Sequence, residues 1–94
     1  MIIAKTEFLL RTNLDPKTLE VWVSEEWLVP HDEQGDLAFT EADLARVQLI
    51  NDLKHQMGVN DEGIGVVLHL LDQLHGVRHA MAALLEQVRD KRDN

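Results

Sequence analysis

Asn13 to Pro30 reads NLDPKTLEVWVSEEWLVP, and this stretch decides the fold. Asp15 has the side chain of an N-cap and Pro16 falls at the first helical position, where its missing N–H costs nothing. Leu14 before the cap and Leu19 at the fourth helical position have the spacing of a hydrophobic staple, which fixes the angle at which the chain enters the helix. Leu19, Trp22 and Val23 then share one face at i, i+3 and i+4. The helix is expected to end near Glu25. Trp27-Leu28-Val29 follows as an apolar strand entry or corner, and Pro30 stops any helical continuation.

Working back, Thr6 has the chemistry of an N-cap for a short helix from Glu7 to about Thr12, with Phe8 and Leu9 or Leu10 on its core side. Asn13 closes that helix in the left-handed conformation. Ile2 and Ile3 precede it as a short edge strand or buried tail. Two short helices joined by the three residues Asn13 to Asp15 have the length and apolar spacing of a helix-turn-helix.

Working forward, the polar run His31 to Asp36 lies between Trp27-Leu28-Val29 and Leu37-Ala38-Phe39, the pattern of a hairpin or wing. Thr40-Glu41-Ala42-Asp43 resembles a capping box and opens a helix to about Met57, ended by Gly58. Leu44, Val47, Ile50, Leu53 and Met57 are placed on its buried side, and Glu41, Arg46, Asp52 and Lys54 outward. Asn60 or Asp61 caps the last helix, with Val59 and Ile64 at staple positions. From there to about Arg92 no proline intervenes, so one long helix is expected, with Gly76 as the place for a bend.

Val67, Leu70, Leu74, Val77, Met81, Leu84 and Val88 follow alternating steps of three and four along that helix, an a/d seam over three heptads. A second row, Ile64, Leu68, Leu71 and Leu85, widens the stripe. The expectation is packing within the chain near the start of the helix and a homodimer beyond it, with DKRDN as a frayed tail. Residues 1–59 are read as a winged module with its supporting helix and 60–94 as the dimerisation helix, together one domain.

The chain has 94 residues, 9 Lys and Arg, 17 Asp and Glu, and no cysteine. Disulfides, thiolate metal sites and a cysteine nucleophile are therefore excluded. No apolar run approaches the roughly 18 to 20 residues that span a bilayer, and no leader pattern is seen, so a cytoplasmic protein is expected. The net charge of −8 is uneven. Met1 to Thr40 carries Lys5, Arg11 and Lys17 against eight carboxylates, a net −5. Phosphate neutralisation by Lys and Arg supplies most of the affinity of a DNA binder, so nucleic acid is a poor partner and a basic protein surface a better one. Solubility alone is the competing reading of the same charge.

Catalytic signals are missing. His75 and His79 share a helical face at i, i+4, but no third ligand is placed beside them and they lie opposite the seam, as solvated histidines do. No carboxylate pair sits in apolar surroundings that would raise one pKa, and there is no phosphate-binding glycine loop or nucleophile elbow. The expectation is a protein that is not an enzyme and holds no cofactor or metal. Trp22 and Trp27 are expected in the core; an exposed one would mark an interface anchor.

Laid out this way, the chain resembles the MerR superfamily of winged helix-turn-helix proteins, and within it the CbpM-like chaperone modulators. MerR regulators read approximately LRYYExxGLLxP through the second helix and wing entry. Leu19 to Pro30 keeps the first Leu, an aromatic at Trp22, Leu28 and the Pro, while Glu20 stands at the Arg position and Glu26 at the Gly position. Where the MerR wing shows GYRxY, this chain has Gly35-Asp36-Leu37-Ala38-Phe39, with an aliphatic residue in place of the Arg. Lys17 and Arg11 remain nearby. The CbpM-like likeness lies in Thr6-Glu7-Phe8, in Phe39, and in Gly63-Ile64 leading to Val66, Leu68, Leu70 and Asp72, similar to a GIxVxLxLxD run.

The resemblance implies a mainly α, MerR-like winged helix-turn-helix with a short two-stranded wing and a long C-terminal dimerisation helix. It further implies a dimer that binds the J-domain of a DnaJ-type co-chaperone and restrains its stimulation of Hsp70. On charge grounds Glu20, Glu25 and Glu26 are the candidate partner-binding residues, with Asp72 as an alternative face. The competing readings are a MerR-type DNA-binding transcriptional regulator and a scaffold for another basic protein.

Overall fold

Short-range capping chemistry sets most of the element boundaries. A computed structural model of the chain describes residues 2–92. In order, these form β1 (Ile3–Ala4), α1 (Lys5–Thr12), α2 (Pro16–Ser24), β2 (His31–Glu33), β3 (Asp36–Phe39), α3 (Glu41–Asn51) with a π-helical extension (Asp52–Gln56), and α4 (Asp61–Arg92). Two units are distinguished, Met1–Ile64 and Gly65–Asn94.

In the first unit, the Asp15 carboxylate accepts from the Lys17 amide at 3.0 Å, with Pro16 opening α2 as expected. Leu14 is half-buried and Leu19 buried, the placement a staple requires. Asn13 closes α1 with φ 58° and ψ 28°. The start of α1 differs from the sequence expectation. Its cap is Ala4, with no side-chain hydrogen bond, and Thr6 lies inside the helix. The reason is tertiary: Ile3 and Ala4 pair antiparallel with Phe39 and Ala38, so β1 runs straight into the helix.

The exit of α2 is a Schellman motif. Trp27 N–H donates to the Trp22 carbonyl at 2.9 Å and Glu26 N–H to the Val23 carbonyl at 3.1 Å. The Trp22 and Trp27 rings, 5.9 Å apart, make the hydrophobic contact that usually accompanies this motif. Glu26 occupies the left-handed position with φ 62°, a conformation that costs a residue with a Cβ roughly 1–2 kcal/mol. Glycine is free of that cost but loses more backbone entropy on folding. Glu26→Gly is therefore expected to stabilise the protein by about 0.5–1 kcal/mol net, read as a higher urea midpoint. A lower midpoint would show that the Glu side chain itself matters there.

This motif also corrects the wing. Trp27-Leu28-Val29 is not a strand, because the Trp27 and Leu28 amides both turn back to the Trp22 carbonyl. The polar residues His31–Glu33 form β2 instead, with His31, Asp32 and Glu33 opposite Ala38, Leu37 and Asp36. Gln34 and Gly35 have φ 55° and 90°, the two positive values of a tight two-residue hairpin turn. The sheet is three-stranded in the order β1-β3-β2, so β1 adds an edge to the two-stranded wing.

Thr40 and Asp43 form a reciprocal capping box at the head of α3, with Thr40 N–H donating to Asp43 Oδ2 at 2.9 Å and Asp43 N–H to Thr40 Oγ1 at 3.3 Å. Val47, Ile50 and Leu53 are buried, and Leu44 is half-buried. Two expectations for this helix fail. Met57 is exposed, because the helix widens and unwinds there, with the Met57 amide reaching back five residues to the Asp52 carbonyl. Arg46 is half-buried rather than outward, since its Nε donates to the Trp27 carbonyl and fastens the end of α2 to α3. Gly58 then takes φ 66°.

Asn60 caps α4 through Oδ1, which accepts from the Gly63 amide at 2.8 Å. A Cβ on Gly63, three residues after the cap, would meet Val59 Cγ1 at 2.7 Å, so a larger residue there would require the Val59 side chain to shift. Ile64 is buried. Phe8 from α1 and Phe39 from β3, both fully buried, stack with ring centroids 4.1 Å apart at the centre of this core.

The second unit takes in α4 from Gly65 onward, and the helix continues through Gly76 to Arg92 as one α-helix. Leu68 is buried and Val67 and Leu71 half-buried, and from Asp72 to Asp90 every residue is exposed. Of the tail DKRDN, Asp93 and Asn94 lie outside the described residues.

Candidate partner interface

The outward stripe of α2 is Lys17, Glu20, Val21 and Ser24, spaced i, i+3, i+4 and i+7 and exposed throughout. Glu25 and Glu26 continue it past the helix end, also exposed. The candidates Glu20, Glu25 and Glu26 are thus brought together on one short segment. Asp72 lies elsewhere, exposed on α4 in the Gly65–Asn94 unit.

The wing adds residues that the sequence reading did not single out. All of His31 to Leu37 is exposed, and Asp32, Glu33 and Asp36 give it three carboxylates. Asp32 Oδ1 accepts from the Gly35 amide at 2.9 Å and so serves the turn as well. The signal was present in the sequence as the polar run itself, but it was read as a connection between strands rather than as β2. Across α2, its exit and the wing, one cation, Lys17, stands among Glu20, Glu25, Glu26, Asp32, Glu33 and Asp36. Apolar contact area lies among them, since Val21 and Val29 are exposed.

Residues 3–87 match the model of the MerR HTH family regulatory proteins. The chain belongs to that family. No curated protein matches the sequence. The MerR assignment and the described elements agree on a mainly helical winged helix-turn-helix with a long C-terminal helix. In such a module α2 is the helix that enters a DNA major groove. In this MerR family member the same helix presents one exposed carboxylate, Glu20, and Val21 beside its single cation, Lys17, and two further exposed carboxylates, Glu25 and Glu26, follow its end.

The remaining sites have little chemistry. No polar or charged side chain is buried among the described residues. His75 and His79 are exposed on α4, and no group of three potential metal ligands occurs among the described residues. A groove of about 600 Å³ beside the α1–α2 turn is lined by Asn13, Asp15, Asp52, Lys54 and His55 among others. No described helix is long and apolar enough to cross a membrane.

Proposed function

We propose that this MerR HTH family member binds protein rather than DNA, and that its partner is the J-domain of a DnaJ-type co-chaperone, whose stimulation of Hsp70 it restrains. The observation that carries the reading is the acidic face of α2, its exit and the wing. DNA affinity comes largely from cations placed on phosphates, and here α2, its exit and the wing carry six exposed carboxylates against one exposed cation, Lys17. The CbpM-like likeness supplies the class of partner: J-domains use a basic helix to engage Hsp70, and an acidic winged module could cover that helix. The protein acts in the cytoplasm by occlusion, without catalysis or a cofactor, and as a homodimer through α4.

Opposite charge chiefly accelerates encounter, so binding weakens as salt rises, while affinity that persists at high salt reports the apolar contribution of residues such as Val21. Each exposed pair contributes only about 0.2–1 kcal/mol, so single substitutions are expected to be nearly silent. The triple reversal Glu20→Lys, Glu25→Lys and Glu26→Lys is expected to weaken J-domain binding by about three- to 150-fold, since three such losses sum to about 0.6–3 kcal/mol. The check is titration of a purified J-domain, followed by an Hsp70 ATPase assay with and without the protein. No binding, or ATPase stimulation unchanged at saturation, would end the proposal. Retarded migration of promoter DNA with a steep salt dependence would establish the regulator reading in its place.

A further inference from the structure

A notch opens where the exit of α2, the π-helical turn and the first turn of α4 meet, all within the Met1–Ile64 unit. It encloses about 180 Å³, below the roughly 300–1,000 Å³ of sites that take cofactors or drug-sized ligands. The space suits one long side chain. Exposed Val21 and the edges of the buried Trp22 and Trp27 give it an apolar wall, and three carboxylates, Glu25, Asp61 and Glu62, line it with Lys54.

The carboxylates are not equivalent. Asp61 is engaged by Lys54 Nζ at 3.2 Å, whereas the Glu25 and Glu62 side chains have no hydrogen-bond or ion-pair partner among the described residues. Both belong to exposed residues, so the notch carries a net negative charge beside an apolar wall. A bare cation would satisfy only half of that arrangement.

We infer that this notch receives one arginine side chain from a basic segment of the partner. The guanidinium is planar and weakly hydrated, lies well on apolar and aromatic surface, and carries its donors at the edge in a fork that matches carboxylates. Its methylene stem covers apolar area in the same pose. A lysine ammonium is compact and strongly hydrated, and would lose water against Val21 and the tryptophans without a planar face to offer in exchange. The inference deepens the proposed function, on which it rests for the class of partner, by giving the acidic face an anchor point. It adds Glu62 and the two tryptophans to the contact set.

The chain has two tryptophans, and both line the notch, so its own fluorescence reports occupancy. The full-length protein is titrated with acetyl-Ala-Ala-Arg-Ala-Ala-amide and with the same peptide carrying neutral citrulline for arginine. A saturable change in emission is expected in the millimolar range for arginine only, and it is expected to vanish in E25Q/E62Q. In parallel, a purified J-domain is titrated into wild type and into E25Q/E62Q by calorimetry, with about tenfold weaker binding expected for the variant. Circular dichroism of the variant confirms that the exposed substitutions leave the fold intact.

Equal J-domain affinity in wild type and variant overturns the anchor while leaving the proposed function standing. Failure of the J-domain to bind wild type counts against the proposed function, and the peptide titration then decides the notch. Arginine-specific emission lost in the variant supports the notch, and emission indifferent to arginine overturns it.

Discussion

Phe8→Ala is expected to lower the unfolding free energy of the Met1–Ile64 unit by about 3–5 kcal/mol, the cost of emptying a fully buried aromatic site. The stack against Phe39, with centroids 4.1 Å apart and planes inclined by 11°, accounts for about 0.5–1.5 kcal/mol of that loss. Small domains have little to spare. Total stabilities run from about 5 to 15 kcal/mol and fall toward the lower end as the buried fraction of the surface shrinks. With a slope near 1 kcal/mol per M for a unit of this size, the urea midpoint falls by roughly 3–5 M or the unit is unfolded without denaturant. The emission of Trp22 and Trp27, both in the same unit, follows the transition. Because the two rings share one contact, Phe8→Ala/Phe39→Ala is expected to cost less than the sum of the single changes, by about 0.5–3 kcal/mol. A midpoint lowered by under about 1 M would show that the site collapses around the missing ring.

The effect is large because of where the two rings lie. Phe8 sits on the first helix and Phe39 on the central strand of the sheet, 31 positions apart in the chain. Their stack joins elements that no local hydrogen bond connects. Arg46 does a similar thing on the other side, carrying the Trp27 carbonyl across to α3.

Elements whose determinants lie within about four residues were legible in the sequence. Asp15, Thr40 with Asp43, and Asn60 all cap the helices that follow them, because a cap needs only its own side chain and the next two or three amides. Asn13 and Gly58 take positive φ where a helix must end. Two of the misreadings, Thr6 and Arg46, have their cause in contacts distant along the chain. Thr6 has cap chemistry, yet with Ile3 and Ala4 paired to β3 the helix starts two residues earlier, at Lys5. Arg46 is outward by periodicity, yet its long side chain turns back to a carbonyl 19 residues away.

The wing and the candidate site show the same division. Strand pairing is a main-chain interaction, so His31–Glu33 could form β2 with every side chain in solvent, while apolar Trp27–Val29 was drawn into the turn after α2. Glu26 could be foreseen only through the family pattern, which has glycine at that position. Glu20 and Glu25 were legible as acidic residues close together in the chain, on α2 and its exit. The notch joining Glu25 to Glu62 depends on the meeting of α2 with the start of α4, which no spacing rule contains.

The homodimer proposed through α4 makes the second large prediction. Leu70, Leu74, Val77, Met81, Leu84 and Val88 are between 43% and 61% exposed in the single chain, in an unbroken a/d order. Leu85 and Val66, flanking that seam, are exposed as well. An apolar strip of this length exceeds what a monomeric surface ordinarily leaves in water. Isolated helices are marginal in water, and most helical stability comes from burying an amphipathic face. A second copy would bury that face, and helix content is then expected to depend on association. The unaltered protein should sediment at twice the chain mass at micromolar concentration. Leu74→Glu/Met81→Glu puts four carboxylates into the seam of the pair, and losing the apolar burial alone amounts to at least about 4 kcal/mol, roughly a thousandfold in the dissociation constant. The variant should therefore sediment as a monomer and lose part of its helical ellipticity. His75→Glu/His79→Glu, on the opposite side of the same helix, adds the same charge and should leave the dimer intact. A monomeric wild type, or a seam variant that keeps both its mass and its ellipticity, would overturn the dimer.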